Sequence, residues 1–344
     1  MKAVLFRTYG GPEVLEYADV AEPEVGPNEV LLQVKATSAN YNDIWARRGH
    51  PVQQPLPHIS GSDAAGVVVA VGTEVKHIQK GDEVMVYPAR SCGVCAACSR
   101  GENYFCREFK LWGFDSGPLD GGHAEFVRIH EAQAVRKPKT LTWEQAASLP
   151  LVLVTAWRML ITKARIRAGQ TVLIWGGAGG LGTLAIQICR VMGAVPIAVV
   201  STDHKAQLAT ELGAAAVINR RSHDIATEVR RLTDRQGVDV VFEHTGEQTW
   251  PTSVKSLKRG GTLVVCGATS GFNGNTDIRY LWNKQQNYLG SHLGIRSELE
   301  DALAFVASGA IRPVIDRVLS LKDVAEAQMA MEQGEVSGKI VFIP

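Results

Sequence analysis

From Thr171 onward the chain alternates between strand-like and helix-like runs, and this alternation restricts the fold more than any other feature of the sequence. The runs are TVLIWG, LGTLAIQICRVMG, PIAVVS, HKAQLATELG, AAVIN, SHDIATEVRRLT, VDVVFEHTG, TWPTSVKSL and GTLVVCGA. Consecutive βαβ units place parallel strands in one sheet and cover both of its faces with helices. The pattern predicts a doubly wound α/β domain over residues 151–285.

A glycine-rich turn follows the first of these strands. Gly177, Gly179 and Gly182 form GxGxxG in WGGAGGLG, with Gly180 and Leu181 before the last glycine. In a strand–turn–helix setting the first glycine makes the tight turn, the second admits a pyrophosphate, and the third lets helix and strand pack closely. The helix N-terminus adds free N–H groups and partial positive charge. We therefore expect a dinucleotide-binding domain; a glycine-rich turn without a ligand is the alternative.

The end of the next strand predicts which dinucleotide binds. NAD enzymes place an acid there to hold the ribose 2′-hydroxyl, but here PIAVV is followed by Ser201. A small hydroxyl leaves room for a 2′-phosphate, which cations can neutralise. The candidate cations are Lys205, Arg220 and Arg221, each of which could equally be solvated surface. Asp203 is the contrary observation, two residues beyond the expected position. We expect NADP(H).

Four of the six cysteines crowd into the segment CGVCAACSRGENYFC, at Cys92, Cys95, Cys98 and Cys106. Four thiolates on one loop can close around Zn²⁺ as a tetrahedral site with no open position, which makes the metal structural. An iron–sulfur cluster also suits four cysteines, but the surrounding fold offers no electron partner. We expect one zinc per subunit in a lobe spanning residues 90–108. The isolated Cys189 and Cys266 lie in apolar runs and are expected in the core.

The rest of the chain is strand-rich. Short β-type runs, VLLQVKATSA, AAGVVVAVG and DEVMVYPA, are separated by Gly, Pro and Asp turns. The pattern is mixed again after about residue 285 and ends in the strand KIVFIP. Because 344 residues are too many for one ordinary core, two domains are expected. The sequence predicts a mainly β domain built from residues 1–150 and 286–344, interrupted by the α/β domain.

Composition excludes several classes of partner. A net charge of +1 gives no general affinity for nucleic acid or anionic membranes. No run approaches 18 apolar residues, so no membrane span is expected, and MKAVLFRTYG has no signal-peptide pattern. A cysteine cluster in such a chain favours a metal over disulfides. We expect a cytoplasmic protein that acts on a small molecule.

Together these motifs resemble the medium-chain dehydrogenase/reductase superfamily, which includes zinc alcohol dehydrogenases and quinone oxidoreductases. The resemblance runs from MKAVLF through GSDAAGVVVAVG and the cysteine lobe to GKIVFIP. It implies a GroES-like catalytic domain, a Rossmann domain, and an active site in the cleft between them. It also implies a homodimer or homotetramer.

The catalytic-zinc positions of the alcohol dehydrogenases are changed in this chain. By motif they are Asn40 in ATSANYNDIW, Ser62 in PHISGSDAAG, and a third position near Leu151. Asn, Ser and Leu cannot together replace thiolates and an imidazole. His50 and His58 lie nearby but at no ligand position, and are expected to be solvated or to cap loops. Without a Lewis acid, the substrate should already be activated, such as a quinone or an α,β-unsaturated carbonyl compound.

A narrower likeness is to the crotonyl-CoA carboxylase/reductases and acryloyl-CoA reductases. The similar segments are ANYNDIW, LWGFDSGPLDGGHAEF, TAWRML, LIWGGAGGLG, VINRR and DIRYLWNKQQNYLGSH. In those enzymes NADPH gives hydride to the β-carbon of an enoyl thioester, leaving an enolate. The carboxylating members hold CO₂ with an Asn, a Phe–Glu pair and a His, matched here by Asn40, Phe114–Asp115 and His292. Asp115 departs from their Glu, and the carboxylases lack the cysteine lobe.

The resemblance assigns further roles, each with a structural alternative. Asn40 would orient the thioester or a bound water, unless it only braces a turn. His292, if it is not a loop histidine, or a water held by Asp115 would deliver the proton. Thr155 would face the nicotinamide and could cap the helix that follows. Arg279 would contact the CoA nucleotide, unless it is exposed surface.

The leading hypothesis from the sequence is NADPH-dependent reduction of a short enoyl-CoA or a similar activated alkene. Because Asp115 is one methylene shorter than Glu, we expect the enolate to take a proton rather than CO₂. The alternatives are an NADPH:quinone oxidoreductase or a zinc-type alcohol dehydrogenase-like protein, and a non-catalytic NADPH-binding protein.

Overall fold

The computed structural model describes residues 1–117 and 121–344. These residues form two compact units. The first contains residues 1–151, 295–303 and 313–344, and the second contains residues 152–294 and 304–312. The predicted boundaries were 150 and 285. The second unit extends further because the strand Asn287–Gly290 pairs with the parallel sheet.

The strands of the described residues are β1 (Lys2–Phe6), β2 (Glu16–Asp19), β3 (Glu29–Ser38), β4 (His58–Ile59), β5 (Ala64–Val71), β6 (Glu83–Val86), β7 (Ala89–Arg90), β8 (Lys110–Leu111), β9 (Phe126–His130), β10 (Ala134–Arg136), β11 (Thr171–Ile174), β12 (Val195–Val200), β13 (Ala216–Asn219), β14 (Val238–Glu243), β15 (Leu257–Val265), β16 (Asn287–Gly290), β17 (Ile315–Ser320) and β18 (Lys339–Ile343). The helices are α1 (Tyr41–Arg48), α2 (Ala96–Ser99), α3 (Trp143–Ala147), α4 (Pro150–Trp157), α5 (Gly180–Val191), α6 (Asp203–Glu211), α7 (Ile225–Leu232), α8 (Trp250–Ser256), α9 (Arg279–Trp282), α10 (Arg296–Ala307) and α11 (Val324–Glu332). A π-helical segment, Arg158–Lys163, follows α4.

The first unit is built on a seven-stranded sheet. Its strands run in the order β10-β6-β5-β3-β18-β17, and β9 also pairs with β3. Along β3, buried and half-buried residues alternate until the last three, which are all buried, so the strand presents one face to the core and becomes enclosed at its end. The C-terminal strand β18 pairs with this enclosed end, at Val341↔Ser38. The C-terminal strand therefore lies beside the start of α1.

Helix α1 begins at Asn40, whose backbone is extended and whose N–H donates to the carboxylate of Asp43, 2.7 Å away. A side chain at the third helical position that returns to the N-cap satisfies a backbone donor that the helix leaves open. The helix ends at Gly49, where φ is +66° and a side chain would be strained. The position of Asn40 is thus set by the local sequence.

The second unit is a six-stranded parallel sheet in the order β13-β12-β11-β14-β15-β16. Its apolar side chains form one core with those of α7 and α8. The chain passes outward from β11 to β13 and then returns to β14 on the other side of β11. The order therefore reverses between β11 and β14, the point at which such sheets bind ligands. The predicted doubly wound sheet and mainly β domain are both confirmed. Within the described residues no helix is long and apolar enough to cross a membrane.

Candidate functional site

The glycines of the turn after β11 have distinct surroundings. A Cβ on Gly182 would lie 2.2 Å from the carbonyl oxygen of Gly176, and one on Gly177 would lie 2.8 Å from the Cβ of Ala198 in β12. These two positions are closed by packing. A Cβ on Gly179 would meet only the Gly176 oxygen, at 3.4 Å. The space over Gly179 is therefore open to a ligand.

Gly179 is also the N-cap of α5, and no side chain caps this helix. The first N–H groups of an α-helix have no acceptor within the helix, and here they belong to Gly180, Leu181 and Gly182. Together with the helix dipole they suit an anion. The turn has the space and the donors that a pyrophosphate needs.

The junction after β12 holds the residues expected to choose between the two dinucleotides. The Thr202 hydroxyl accepts from the Lys205 N–H and caps α6. The Asp203 carboxylate accepts from Asn219 Nδ2 at 3.0 Å, so an amide at the end of β13 already engages this acid. Arg220 is exposed, and its backbone N–H donates to the carbonyl oxygen of Val200, the last residue of β12. The hydrogen bond from Asn219 engages only Oδ1 of Asp203, so the preference for NADP(H) stays a prediction of the sequence.

The last residue of β14, Glu243, has a buried carboxylate. Glu243 is fully buried, and its oxygens accept from the N–H groups of Thr245 and Gly246 and from the hydroxyls of Thr249 and Ser253. The charge is stabilised by these donors, because hydrogen bonds can replace the water that burial removes. The turn that follows β14 is consequently rigid.

Of the three positions that match catalytic-zinc ligands, two donate hydrogen bonds to one acid of the first unit, Asp63, and the third is its neighbour in the chain. Asn40 Nδ2 donates to Asp63 Oδ2 at 2.8 Å, and the Leu151 N–H donates to Asp63 Oδ1 at 2.8 Å. Ser62 precedes Asp63 in the chain, and its hydroxyl accepts from Asn42 Nδ2 at 2.6 Å. These positions offer an amide, a hydroxyl and a backbone N–H, which is not a zinc ligand set.

A buried lysine completes this cluster. Lys339 Nζ donates to the Ala39 carbonyl and to Asn40 Oδ1, both at 2.6 Å, and lies 3.2 Å from Asp63 Oδ2. Burial lowers the pKa of Lys339, and the charge of Asp63 opposes the shift. Since Lys339 donates to Oδ1 and Asp63 accepts from Nδ2, the orientation of the Asn40 amide is fixed. Neither Lys339 nor Asp63 was predicted from the sequence, although a lysine in the apolar strand KIVFI was a signal.

A second buried pair joins Asp43, in the first turn of α1, to His123. Asp43 accepts from the N–H groups of Asn40 and Gly61, and His123 Nε2 lies 3.5 Å from Asp43 Oδ2. Both side chains are fully buried. Thr37 donates its hydroxyl proton to a carbonyl at 2.6 Å, so it accepts from His123 Nδ1 at 3.2 Å. Neither Asp43 nor His123 was singled out from the sequence, because nothing local pairs them.

The predicted Phe114–Asp115 pair lies in a turn against the same segment. A Cβ on Gly113 would lie 2.0 Å from the Gly61 carbonyl oxygen, so the turn packs closely beside Ser62. The Asp115 carboxylate accepts from the Leu111 N–H within its own turn. Residues 118–120 of the same motif lie outside the described residues. The first unit thus brings Asn40 and the Phe114–Asp115 turn to neighbouring segments.

The other predicted substrate residues lie in the second unit. His292 is exposed and is the second residue after β16. Arg279 is also exposed, and its guanidinium forms a two-pronged ion pair with Asp277, so a phosphate partner would have to compete with this carboxylate. Thr155 is buried inside α4 and therefore caps no helix, which corrects that alternative.

The remaining histidine and cysteine predictions have mixed outcomes. His58 is fully buried and packs against the Phe6 ring, with centroids 5.4 Å apart, so it is not the solvated residue that was one of the two expectations. Its Nε2 lies 3.4 Å from the carbonyl oxygen of Gly113 in a neighbouring turn, in line with the other expectation, a histidine that caps a loop. Cys189 is fully buried in α5, as expected, and desolvation raises its pKa. Cys266 is half-buried at the end of β15.

The four clustered cysteines form one tetrad. Their sulfurs all lie within 4.8 Å of one another, and the shorter separations are 3.5, 3.6 and 3.9 Å. A tetrahedron with Zn–S bonds of about 2.3 Å has edges of about 3.8 Å, which these distances match. Backbone N–H groups lower the pKa of Cys92 and lower that of Cys95 to about 6, whereas burial and the neighbouring thiols raise the pKa of Cys106 to about 11. The case for a metal therefore rests on the sulfur geometry. Within residues 1–117 and 121–344 no other cluster of three or more His, Cys, Asp or Glu side chains is arranged to hold a metal.

Known proteins share this whole architecture. Residues 26–139 match the alcohol dehydrogenase GroES-like domain family, and residues 180–308 match the zinc-binding dehydrogenase family. A crotonyl-CoA carboxylase/reductase of Cereibacter sphaeroides is 35% identical over 97% of this chain and 84% of its own length.

Two solved structures are equally informative. An NAD-dependent alcohol dehydrogenase has a TM-score of 0.95 and 39% identity, with all of both chains covered. The crotonyl-CoA carboxylase/reductase AntE in complex with NADP has a TM-score of 0.93 and 32% identity over all of this chain and 94% of its own. The chain therefore belongs to the medium-chain dehydrogenase/reductase superfamily of oxidoreductases.

Proposed function

We propose that the protein is an NADPH-dependent reductase of activated alkenes, with a short-chain enoyl-CoA of the acryloyl or crotonyl type as substrate. The observation that carries the proposal is the cluster around Asp63. Where alcohol dehydrogenases hold a Lewis acid, Asn40, Ser62 and Leu151 are engaged in hydrogen bonds around a buried Asp63–Lys339 pair. An enoyl thioester is already electrophilic at its β-carbon and requires no metal to accept hydride. Likeness to crotonyl-CoA carboxylase/reductases supports this class.

Different residues would bind different parts of the dinucleotide. The N-terminus of α5 would hold the pyrophosphate, and Ser201, Lys205 and Arg220 would hold the 2′-phosphate. When bound, NADPH supplies the hydride. NADH is the alternative cofactor, since one close structural neighbour is described as an NAD-dependent alcohol dehydrogenase.

On the substrate side, Asn40 presents an amide whose orientation Lys339 and Asp63 fix before substrate arrives. A preorganised donor favours the oxygen on which charge develops. His292 or a water near Asp115 provides the proton for the α-carbon. The Asp115 carboxylate accepts from the Leu111 N–H in its own turn. Because it is held there, it is poorly placed to line a pocket that binds CO₂ and excludes water. Protonation of the enolate therefore completes the reaction.

The cysteine tetrad binds one structural zinc per subunit in this proposal. Its sulfur separations and its four-thiolate composition support that metal. The cytoplasmic location and the homodimer or homotetramer stay predictions of the sequence.

A substrate panel tests the function. Purified protein is mixed with NADPH or NADH and with acryloyl-CoA, crotonyl-CoA or a benzoquinone, in bicarbonate with carbonic anhydrase, and the acyl products are measured. We expect saturable NADPH oxidation with a thioester and mainly propionyl- or butyryl-CoA as product. Mainly carboxylated products would contradict the reductase assignment. Turnover of the quinone alone would establish the quinone oxidoreductase alternative, and turnover of neither acceptor would indicate a binding protein.

A further inference from the structure

A histidine that the proposed mechanism leaves unused lies at the point where the order of the parallel sheet reverses. His244 is the first residue after β14, and Trp175 and Gly176 are the first two after β11. Strands β11 and β14 are the two neighbours between which the sheet changes direction. In open α/β sheets the ligand crosses the carboxyl ends of these two strands.

The hydrogen bonding of His244 determines which ring nitrogen carries a proton. Nε2 lies 2.9 Å from the carbonyl oxygen of Trp175. A carbonyl only accepts, so Nε2 must be the donor. In the neutral ring Nδ1 then has the lone pair and is a hydrogen-bond acceptor.

The ring is also held in place by packing. A Cβ on Gly176 would lie 3.0 Å from Cε1 and 3.1 Å from Nε2 of His244, and φ of Gly176 is +59°. The ring therefore rests on the backbone immediately before the GxGxxG turn. On its other side, the N–H groups of Thr245 and Gly246 bond the buried Glu243, which fixes the backbone on both sides of the histidine.

We propose that His244 is a cofactor-binding residue whose Nδ1 accepts a hydrogen bond from a hydroxyl of the nicotinamide ribose. The proposal rests on the proposed use of NADPH. With the 2′-phosphate held by Ser201 and Arg220, the adenosine end of the dinucleotide would lie over β12 and β13, and the N-terminus of α5 would hold the pyrophosphate. The half beyond the pyrophosphate would then pass over β14. A neutral acceptor there suits a ribose hydroxyl and does not suit a phosphate oxygen.

Two variants separate this role from a purely structural one. Glutamine can place an N–H near the position of Nε2, so His244→Gln keeps the bond to Trp175 and loses the acceptor. Asparagine can place a carbonyl oxygen near the position of Nδ1, so His244→Asn keeps the acceptor. Dissociation constants are measured by fluorescence for NADPH and for adenosine 2′,5′-bisphosphate, which lacks the nicotinamide ribose, and Tm is measured for both variants.

We expect His244→Gln to weaken NADPH binding by about fivefold to tenfold, the loss of one net hydrogen bond. The affinity of His244→Gln for the bisphosphate should stay within about twofold of wild type, and its Tm within a few degrees. His244→Asn should bind NADPH more tightly than His244→Gln does. Equal NADPH affinity in the two variants, or equal losses for both ligands, would overturn the proposal. If the wild type binds only NADH, the NADPH assignment fails, and the same comparison with NADH still tests His244, because both dinucleotides contain that ribose.

Discussion

Asn40 illustrates how one substitution changes the chemistry available at a site. An amide at a position that holds a metal ligand in relatives can both accept and donate, and here it does both, toward Lys339 and Asp63. A buried lysine and a buried aspartate are each costly alone, but together with the amide they satisfy one another. The resulting cluster is charged, buried and rigid without a metal. It favours a substrate that needs orientation more than it needs a Lewis acid.

Ser201 is the residue at which cofactor preference can be reversed. In Ser201→Asp the new carboxylate should repel a 2′-phosphate and accept from a 2′-hydroxyl. We expect the ratio of NADPH to NADH in kcat/KM to fall by about 10–100-fold, the effect of a charge-assisted hydrogen bond. Steady-state kinetics with both cofactors measures this ratio.

Ser201→Ala is the matched control and should change the ratio by less than about threefold, because a neutral side chain leaves the charge at this position unchanged. A wild type that prefers NADH would contradict the assignment and would give Asp203 the role of the missing acid. Asp203→Asn would then remove that preference, although Asn219 already occupies the Asp203 carboxylate.

Among the elements, the cysteine lobe is too small to be stable by itself. Its helix α2 has four residues, and β7 and β8 have two residues each. Such short elements supply few hydrogen bonds and little apolar burial. A metal bound by four thiolates can replace the missing core, since its binding free energy becomes folding free energy.

Zinc content should follow the four thiolates. Wild type should contain one zinc per subunit by elemental analysis, and Cys95→Ser should lose most of it and lower the Tm of the protein. The control Cys266→Ser changes a cysteine outside the lobe and should keep the full content. Two zincs per subunit would show that the interpretation of Asn40, Ser62 and Leu151 is wrong.

The sequence predicted elements well where the signal was local. Periodicity identified β11 and α5, and the glycines located the turn between them. Periodicity gave no guidance where strand pairing determines which sheet a strand joins. The strand β16 joins the parallel sheet only because it pairs with β15, so the predicted domain limit at 285 came before it. Likewise Thr155 in VTAW looked like a cap, but α4 continues through it.

At the scale of the whole molecule, the first unit is assembled from both ends of the chain. Strand β18 pairs with β3, and Lys339 reaches Asn40 across 299 positions of sequence. Nothing near Lys339 or Asp63 in the sequence indicates that the two side chains are in contact, because only the tertiary fold brings them together. The buried polar cluster was therefore the least predictable part of the candidate site, whereas the glycine turn and the cysteine tetrad were recognised from spacing.

Lys339 should accordingly stabilise the packing of the C-terminal strand β18 against the segment that contains Asn40. Lys339→Met leaves Asp63 buried without its cation and should lower the free energy of unfolding by about 3–5 kcal/mol. The double variant Asp63→Asn/Lys339→Met should lose less than the sum of the two single variants, with a coupling of about 1–3 kcal/mol. Urea unfolding measures all three. The exposed Lys322→Met is the control and should stay within about 0.5 kcal/mol of wild type.

The pH dependence of this difference provides an independent check. Burial lowers the pKa of Lys339 below its unfolded value of 10.5, so between the two pKa values the folded state binds fewer protons than the unfolded state. Stability contributed by this group must then rise with pH in that window. The advantage of wild type over Lys339→Met should therefore grow as the pH is raised through this window toward 10.5. Additive losses in the double variant would show that Lys339 and Asp63 do not act as a buried pair. An advantage that shrinks over this range would show instead that the charge of Asp63 outweighs burial and raises the pKa of Lys339 above its unfolded value.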